Sequence, residues 1–297
     1  MIDSWYLSDM SELEHKNWSG TTDGTPWMQK TLIRWFRHTT LLIPYWCMGW
    51  IVPFYMLFRH KGYIASYRLY RHRFHKNPLK AFGYVYANHF RFGQVIVDRF
   101  AAYAGHQFHF EVEGQNLFDK LESAEESFLQ LSSHIGNYEL AGYSLKPRHK
   151  VLHALVFGGE TETVMASRAQ MFAQHGVKMV PVRRDMSHVF ALNEALREGN
   201  IVSMPGDRIF GSPRSISCTF LGAVAQFPMG PFAMAEQRRI PVLSIFVMKT
   251  GVKSYKIYVR RLSGTDKQSL CQSFATELEN IVKQYPTQWF NFYDFWT

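Results

Sequence analysis

The chain has 297 residues, 46% of them hydrophobic and 16% aromatic, and its 33 Lys and Arg against 24 Asp and Glu give a formal net charge of +9. That length has room for one large domain or two small ones, and the apolar share supplies a large core. Three widely spaced cysteines, Cys47, Cys218 and Cys271, exclude a disulfide framework and a structural zinc site and suggest a reducing compartment. A basic balance suits nucleic acid, anionic lipid or an acidic protein. No nucleic-acid motif appears and the basic residues sit beside an apolar segment, so lipid is the expected partner and nucleic acid is not.

Residues 1–38 read as a polar arm with scattered tryptophans, leading into a helix, and their first 20 residues are too polar for a cleaved signal peptide. Thr39 to Phe58 carries no charged residue, a length that can cross a bilayer. Pro44 and Pro53 would kink such a helix, so a kinked span, a re-entrant hairpin, an interfacial helix and a buried core helix all stay open. From Arg59 to Lys76 there are six Lys or Arg, and Tyr63, Tyr67, Tyr70 and Phe74 recur at spacings of three and four. This pattern predicts a basic amphipathic helix at an anionic membrane surface, with a solvated helix carrying an aromatic core stripe as the plainer alternative. The Lys and Arg excess after the apolar run puts the downstream part on the cytoplasmic side.

Residues 39–76 therefore read as a membrane anchor with its basic helix, and 77–297 as one further domain beginning with a helical stretch at 77–104. Beyond it, strands are predicted at 107–112, 127–131, 151–157, 177–182, 201–204 and 241–248. Helices are predicted at 138–145, 161–175, 187–198, 231–238 and 266–284. This alternation predicts an α/β fold with a mostly parallel central sheet flanked by helices.

The most informative segment is Leu131 to Leu140. His134 and Glu139 lie five positions apart, and such a pair can form a general base and its orienting carboxylate. In a regular helix, positions five apart lie about 140° from each other. The pair meets only if His134 sits in the loop and Glu139 in the first turn of a following helix. His106 and Glu111 share the spacing, but their alternating surroundings predict a strand, where the two would face opposite ways.

Ile201 to Ser212 runs from an apolar strand into Pro205, Gly206, Asp207 and Arg208. Ligands of open α/β sheets bind at the carboxyl ends of strands, and the fork of Arg208 suits a phosphate. Asp207 can orient Arg208 or accept from a hydroxyl. The apolar block Phe220 to Pro231 suits an acyl pocket, or simply a buried connection. Arg168 is a further basic candidate on the predicted 161–175 helix. No Gly-x-Ser-x-Gly elbow supports a serine mechanism.

Taken in order, these segments resemble the bacterial late acyltransferases of lipid A synthesis, the lauroyl/myristoyl transferase family. The resemblance is carried by the N-terminal apolar anchor with its basic flank and by Glu113 to Leu117. It continues through Ser133 to Glu139, Met204 to Arg208, Phe220 to Gly230 and the Pro286 to Trp289 end. It implies a glycerolipid-acyltransferase-like fold and O-acyl transfer from an acyl carrier protein or coenzyme A thioester to a hydroxyl of a membrane lipid or glycolipid. His134 would be the base and Glu139 its partner, with Arg168, Asp207, Arg208 and Asn137 as supporting or substrate-binding residues. It implies no metal, no cofactor beyond the thioester co-substrate, no covalent acyl-enzyme, and a place on the cytoplasmic face of the bacterial inner membrane. The chain departs from the family in Ile135, where a glycine is common, in its Asp207-Arg208 segment and in its short C-terminal end. The acceptor thus stays open among lysophospholipids, aminolipids, glycolipids and polyene pigments. The rival reading is an inactive membrane-peripheral lipid-binding or scaffold protein of the same fold; a hydrolase, with water as acceptor, is the third.

Overall fold

The structure is a computed structural model, describing residues 26–296 except 59, 157–165, 167–168, 170–171, 174–175, 184 and 210–213. Arg168 and most of the helix predicted at 161–175 therefore lie outside the described residues.

The chain enters through helices α1 (Pro26–Phe36), α2 (Leu42–Phe58) and α3 (His60–Arg68), the last running into a π-turn at Leu69–Arg73. Helix α4 (Pro78–Tyr103) follows. Its start is set by Asn77, whose side chain accepts from the Lys80 N–H at 2.8 Å, and by Pro78 in the first turn. Then come β1 (His109–Glu113), α5 (Gln115–Glu122), β2 (Phe128–Ser132), a 3₁₀ turn (Tyr138–Leu140), α6 (Ala141–Ser144), β3 (Leu152–Val156) and β4 (Val177–Pro181). The chain continues with α7 (Ser187–Arg197), β5 (Ile201–Pro205), a hairpin of β6 (Ser215–Phe220) and β7 (Ala223–Pro228), and α8 (Gly230–Arg238). It ends in β8 (Val242–Lys249), β9 (Ser254–Arg261) and α9 (Lys267–Gln284).

Seven strands form one sheet in the order β1-β9-β8-β2-β5-β3-β4, parallel throughout except for β8 against β9. The α/β fold with a mostly parallel sheet is thus as the alternation predicted. The central strands are covered on both faces, which is why β8 is buried along its whole length. Leu129, Leu131, Val202, Met204 and Phe246 face one core with Phe232 of α8 and Phe274 of α9. Phe128, Ile201, Leu243 and Ile245 face the other with Phe118 of α5 and Leu140.

Several local expectations need correction. The first strand begins at His109, so His106 lies before it and its ring meets the Phe36 carbonyl instead, at 2.7 Å. Glu111 pairs with Lys256 at 2.9 Å, so the second His/Glu pair does not meet, as expected. The helix expected at 138–145 is a 3₁₀ turn followed by one short turn of α-helix. Strands β6, β7 and β9 and helix α5 were not anticipated.

The N-terminal segment also differs from expectation. Tyr70 is fully buried, and Tyr63, Tyr67 and Phe74 pack against the main core, so the aromatic stripe at 59–76 faces the protein. Van der Waals packing there has drawn the rings inward, as the plainer of the two readings supposed. The exposed apolar face belongs to α2 instead. Its Tyr45, Val52 and Met56 recur at helical spacing and turn inward, while Trp46, Trp50, Phe54 and Phe58 stay exposed, Phe58 at 80%. Helix α2 has 17 residues, about 25 Å of rise against a hydrocarbon core of about 30 Å. Among the described residues, no helix is long and apolar enough to cross a membrane.

One buried carboxylate ties the second core together. Glu122, at the end of α5, accepts from the backbone N–H groups of Arg148, at 2.6 Å, and His149, and pairs with the His149 ring at 2.8 Å. Burial alone would raise its pKa, but these donors bring it down to about 2. A depressed carboxylate contributes stability above its ordinary range, and that contribution is lost as pH falls toward its folded value. Glu122→Gln should therefore lower stability at pH 7 by roughly 2–3 kcal/mol in thermal melts. The gap to wild type should close as the pH drops from about 5 to 2.

Candidate functional site

The site forms where β2 and β5 end side by side. These strands are parallel and in register, Ser132 opposite Pro205, and the Gly206 N–H donates to the Ser132 carbonyl at 2.9 Å. The residues just past each strand therefore emerge together. On one side they are Ser133 and His134, and on the other Asp207 and Arg208. Gly206 has no room for a side chain, since a Cβ there would lie 2.8 Å from the Phe274 ring.

Asp207 is 2% exposed and collects three donors. Its Oδ1 meets His134 Nδ1 at 2.8 Å, and its Oδ2 accepts from the His134 N–H at 2.8 Å and the Ser133 hydroxyl at 2.7 Å. Burial would raise the Asp207 pKa, but the facing His134 and its hydrogen bonds, with Arg208 beside them, bring it to about 2. An ionised carboxylate at Nδ1 selects the tautomer with the proton on Nδ1 and leaves the Nε2 lone pair free. The His134 ring is 21% exposed, with Tyr138 edge-on at 5.9 Å between centroids. Its pKa is lowered, first by burial and then by the charge of Arg208, against the opposing pull of Asp207. The imidazole is thus held neutral and able to accept a proton.

The sequence expectation that Glu139 orients His134 is corrected by this arrangement. Glu139 is buried and accepts from Arg99 at 3.1 Å and Tyr103 at 3.0 Å, both on α4. The 3₁₀ turn replaces the helical first turn that was meant to aim it at the ring. Asn137 is also buried, its Nδ2 3.4 Å from the Tyr255 hydroxyl, so its side chain braces the loop from inside. Arg208 donates to the Phe290 carbonyl at 2.9 Å and lies over the Tyr293 ring. Arg168 lies outside the described residues. Sequence reasoning missed Arg99 and Tyr103; the signal was there in Asp98-Arg99, two charges inside an apolar, aromatic helix.

The C-terminal residues hold the loop in place. Phe290 N–H donates to the His134 carbonyl at 2.9 Å, and Gly136 N–H donates to the Gln288 carbonyl at 2.8 Å. Ile135 bridges Trp289 antiparallel. Gly136 has φ +57°, and a Cβ there would lie 2.0 Å from the Val247 carbonyl oxygen, so only glycine fits.

This His-Asp site lies inside the stretch matched by a known family. The family model for bacterial lipid A biosynthesis acyltransferase matches residues 92–297. The chain belongs to that family. It is thereby a member of an acyltransferase family, and the match includes the whole sheet and every group of the site. A search of curated proteins finds no match.

The His134 environment gives a test with defined signs. Arg208→Ala removes a cation that disfavours imidazolium, so the His134 titration midpoint should rise toward its ordinary 6.5. Asp207→Asn removes the favourable carboxylate and should move it further down. Histidine-labelled protein, titrated by NMR with His134→Gln as the assignment control, reads both; shifts of the opposite sign would contradict the arrangement.

Proposed function

We propose that this protein transfers a fatty acyl chain from an acyl carrier protein or coenzyme A thioester to a hydroxyl of a membrane lipid, with His134 as general base. The observation that carries this reading is the neutral, partly exposed His134 ring clamped at Nδ1 by an ionised Asp207. With the acceptor hydroxyl at Nε2, the ring takes its proton as the oxygen bonds to the thioester carbonyl carbon. The carbon–sulfur bond then breaks, and the imidazolium returns the proton to the leaving thiolate. Asp207 steadies the imidazolium and fixes the tautomer. Glu139 with Arg99 keeps the loop in place, and Arg208 keeps the resting base neutral.

The partners follow from surface chemistry. The net charge of +9 favours an acidic carrier protein as donor and an anionic leaflet as the site of work. Trp27 and Trp35 of α1 and the outward face of α2 offer an apolar patch of the kind that enters the interfacial region of a bilayer. On this reading the protein lies in the plane of the cytoplasmic face of the bacterial inner membrane.

Transfer is tested with wild type, His134→Ala, Asp207→Asn and the control His106→Ala, each in detergent with labelled acyl carrier protein and a total lipid extract. Mass spectrometry should find a new acylated lipid. Its rate should fall roughly 100- to 10,000-fold without the His134 ring and stay unchanged in the control. Intact thioester with no product from folded wild type would instead favour a lipid-binding or scaffold role. The membrane arm is separate. Trp50→Ser with Phe54→Ser should weaken pelleting with anionic vesicles by roughly 100-fold, from about 1.5 kcal/mol or more per buried aromatic. Unchanged pelleting would put the contact elsewhere.

A further inference from the structure

A buried charge cluster lies between the apolar helix α2 and the loop that carries His134, and proton transfer at His134 gives it no task. Asp98 of α4 and Lys249 at the end of β8 have side chains 0% and 1% exposed, with Lys249 Nζ 2.6 Å from Asp98 Oδ2. Lys249 also donates to the Tyr45 hydroxyl and to the Val252 carbonyl, each at 2.9 Å. The hydroxyls of Tyr45 and Tyr255 each donate to Asp98. Burial pushes Asp98 up and Lys249 down, and each opposes the shift of the other.

Two hydrogen-bonded routes lead from this cluster to the loop. In the first, the Tyr255 hydroxyl accepts from Asn137 Nδ2 at 3.4 Å. In the second, the Gln288 side chain bonds both the N–H and the carbonyl of Lys249 at 2.9 Å, while the Gln288 carbonyl accepts from the Gly136 N–H at 2.8 Å. Asn137 and Gly136 stand three and two residues after His134. At the other end, Tyr45 sits on the inward face of α2, next to the exposed Trp46.

A buried ion pair adds little stability over apolar packing of the same volume, but its bonds are directional and a shift of any member leaves a charge unpaired. Such a cluster therefore fixes relative position more than it adds stability. We infer that Tyr45, Asp98, Lys249 and Tyr255 are positioning residues that tie the seat of α2 to the conformation of the His134–Asn137 loop, and so set the turnover of the acyl transfer proposed above. The effect on turnover rests on that transfer reading; the effect on the loop does not.

The experiment uses the full chain with Tyr45→Phe, Tyr255→Phe and both together. Tyr45→Phe leaves Asp98 paired with Lys249 and Tyr255, so the fold is kept. Tyr86→Phe is the control, because the Tyr86 hydroxyl also joins α4 to α2, at the Gly49 carbonyl, without meeting the cluster. Hydrogen exchange of the peptide covering 133–140 should rise severalfold in Tyr45→Phe and stay at the wild-type level in Tyr86→Phe. Turnover should fall roughly 10- to 100-fold with the thioester KM unchanged. The double variant should lose less than the product of the two single losses. Unchanged exchange at 133–140, exchange raised evenly along the chain, an equal effect of Tyr86→Phe, or multiplying losses would each overturn the inference. If wild type shows no transfer, the transfer reading fails, and the exchange experiment still decides whether the cluster holds the loop.

Discussion

The parallel pairing of β2 with β5 is the constraint on which the rest of the site depends. Strands that run parallel end at the same edge of the sheet, and the register of Ser132 with Pro205 lines up the residues that follow. The base and its carboxylate come from chain positions 73 apart, yet backbone pairing has already put them within hydrogen-bond reach. Every later feature elaborates this one. Asp207 gains its Ser133 and His134 N–H donors because it sits at the end of β5, and Arg208 lies close enough to lower the base because it is next in the chain.

That dependence explains what could and could not be seen in the sequence. Apolar runs such as Phe128 to Leu131 and Val242 to Met248 announce buried strands, and they are where expected. The residue types at the site were legible too, since His134 and Asp207 both follow such runs. Which carboxylate serves His134 was not legible. Spacing along one segment favoured Glu139, but the answer lies in which strands are neighbours, and one segment does not contain that. The β6–β7 hairpin was missed for a more local reason. Its turn uses Leu221 and Gly222, both with positive φ, a primed turn without the Asn-Gly pair that usually signals it. Strand β9 did carry a signal, in the alternation of Tyr255, Ile257 and Val259.

The N-terminal helices show how a compositional pattern splits once packing acts on it. Aromatic and basic residues between 59 and 76 suggested a membrane face. In the folded chain the ring of Tyr70 fills the core, those of Tyr63 and Tyr67 pack against it, and Arg68 pairs with Asp294. The uncharged stretch before them keeps its outer aromatics exposed because α4 has room for only one face of α2. Periodicity told which residues share a face, while the neighbour that covers that face comes from elsewhere in the chain.

The C-terminal strap has a consequence for how the site is made. Phe290 serves both sides at once, its N–H on the His134 carbonyl and its own carbonyl on Arg208. The contacts that complete the site therefore join parts of the chain far apart in sequence, and each such closure costs chain entropy. Trp289 and Phe295 of the strap are themselves buried in the main core, beside Ile135 of the loop, so the segment that shapes the site is fixed by packing as well as by hydrogen bonds. Tyr70, Asn88 and Lys249 bind the same strap from three further elements, at the Pro286, Thr287 and Trp289 carbonyls and the Gln288 side chain. The geometry of the site is thus tied to the integrity of the core.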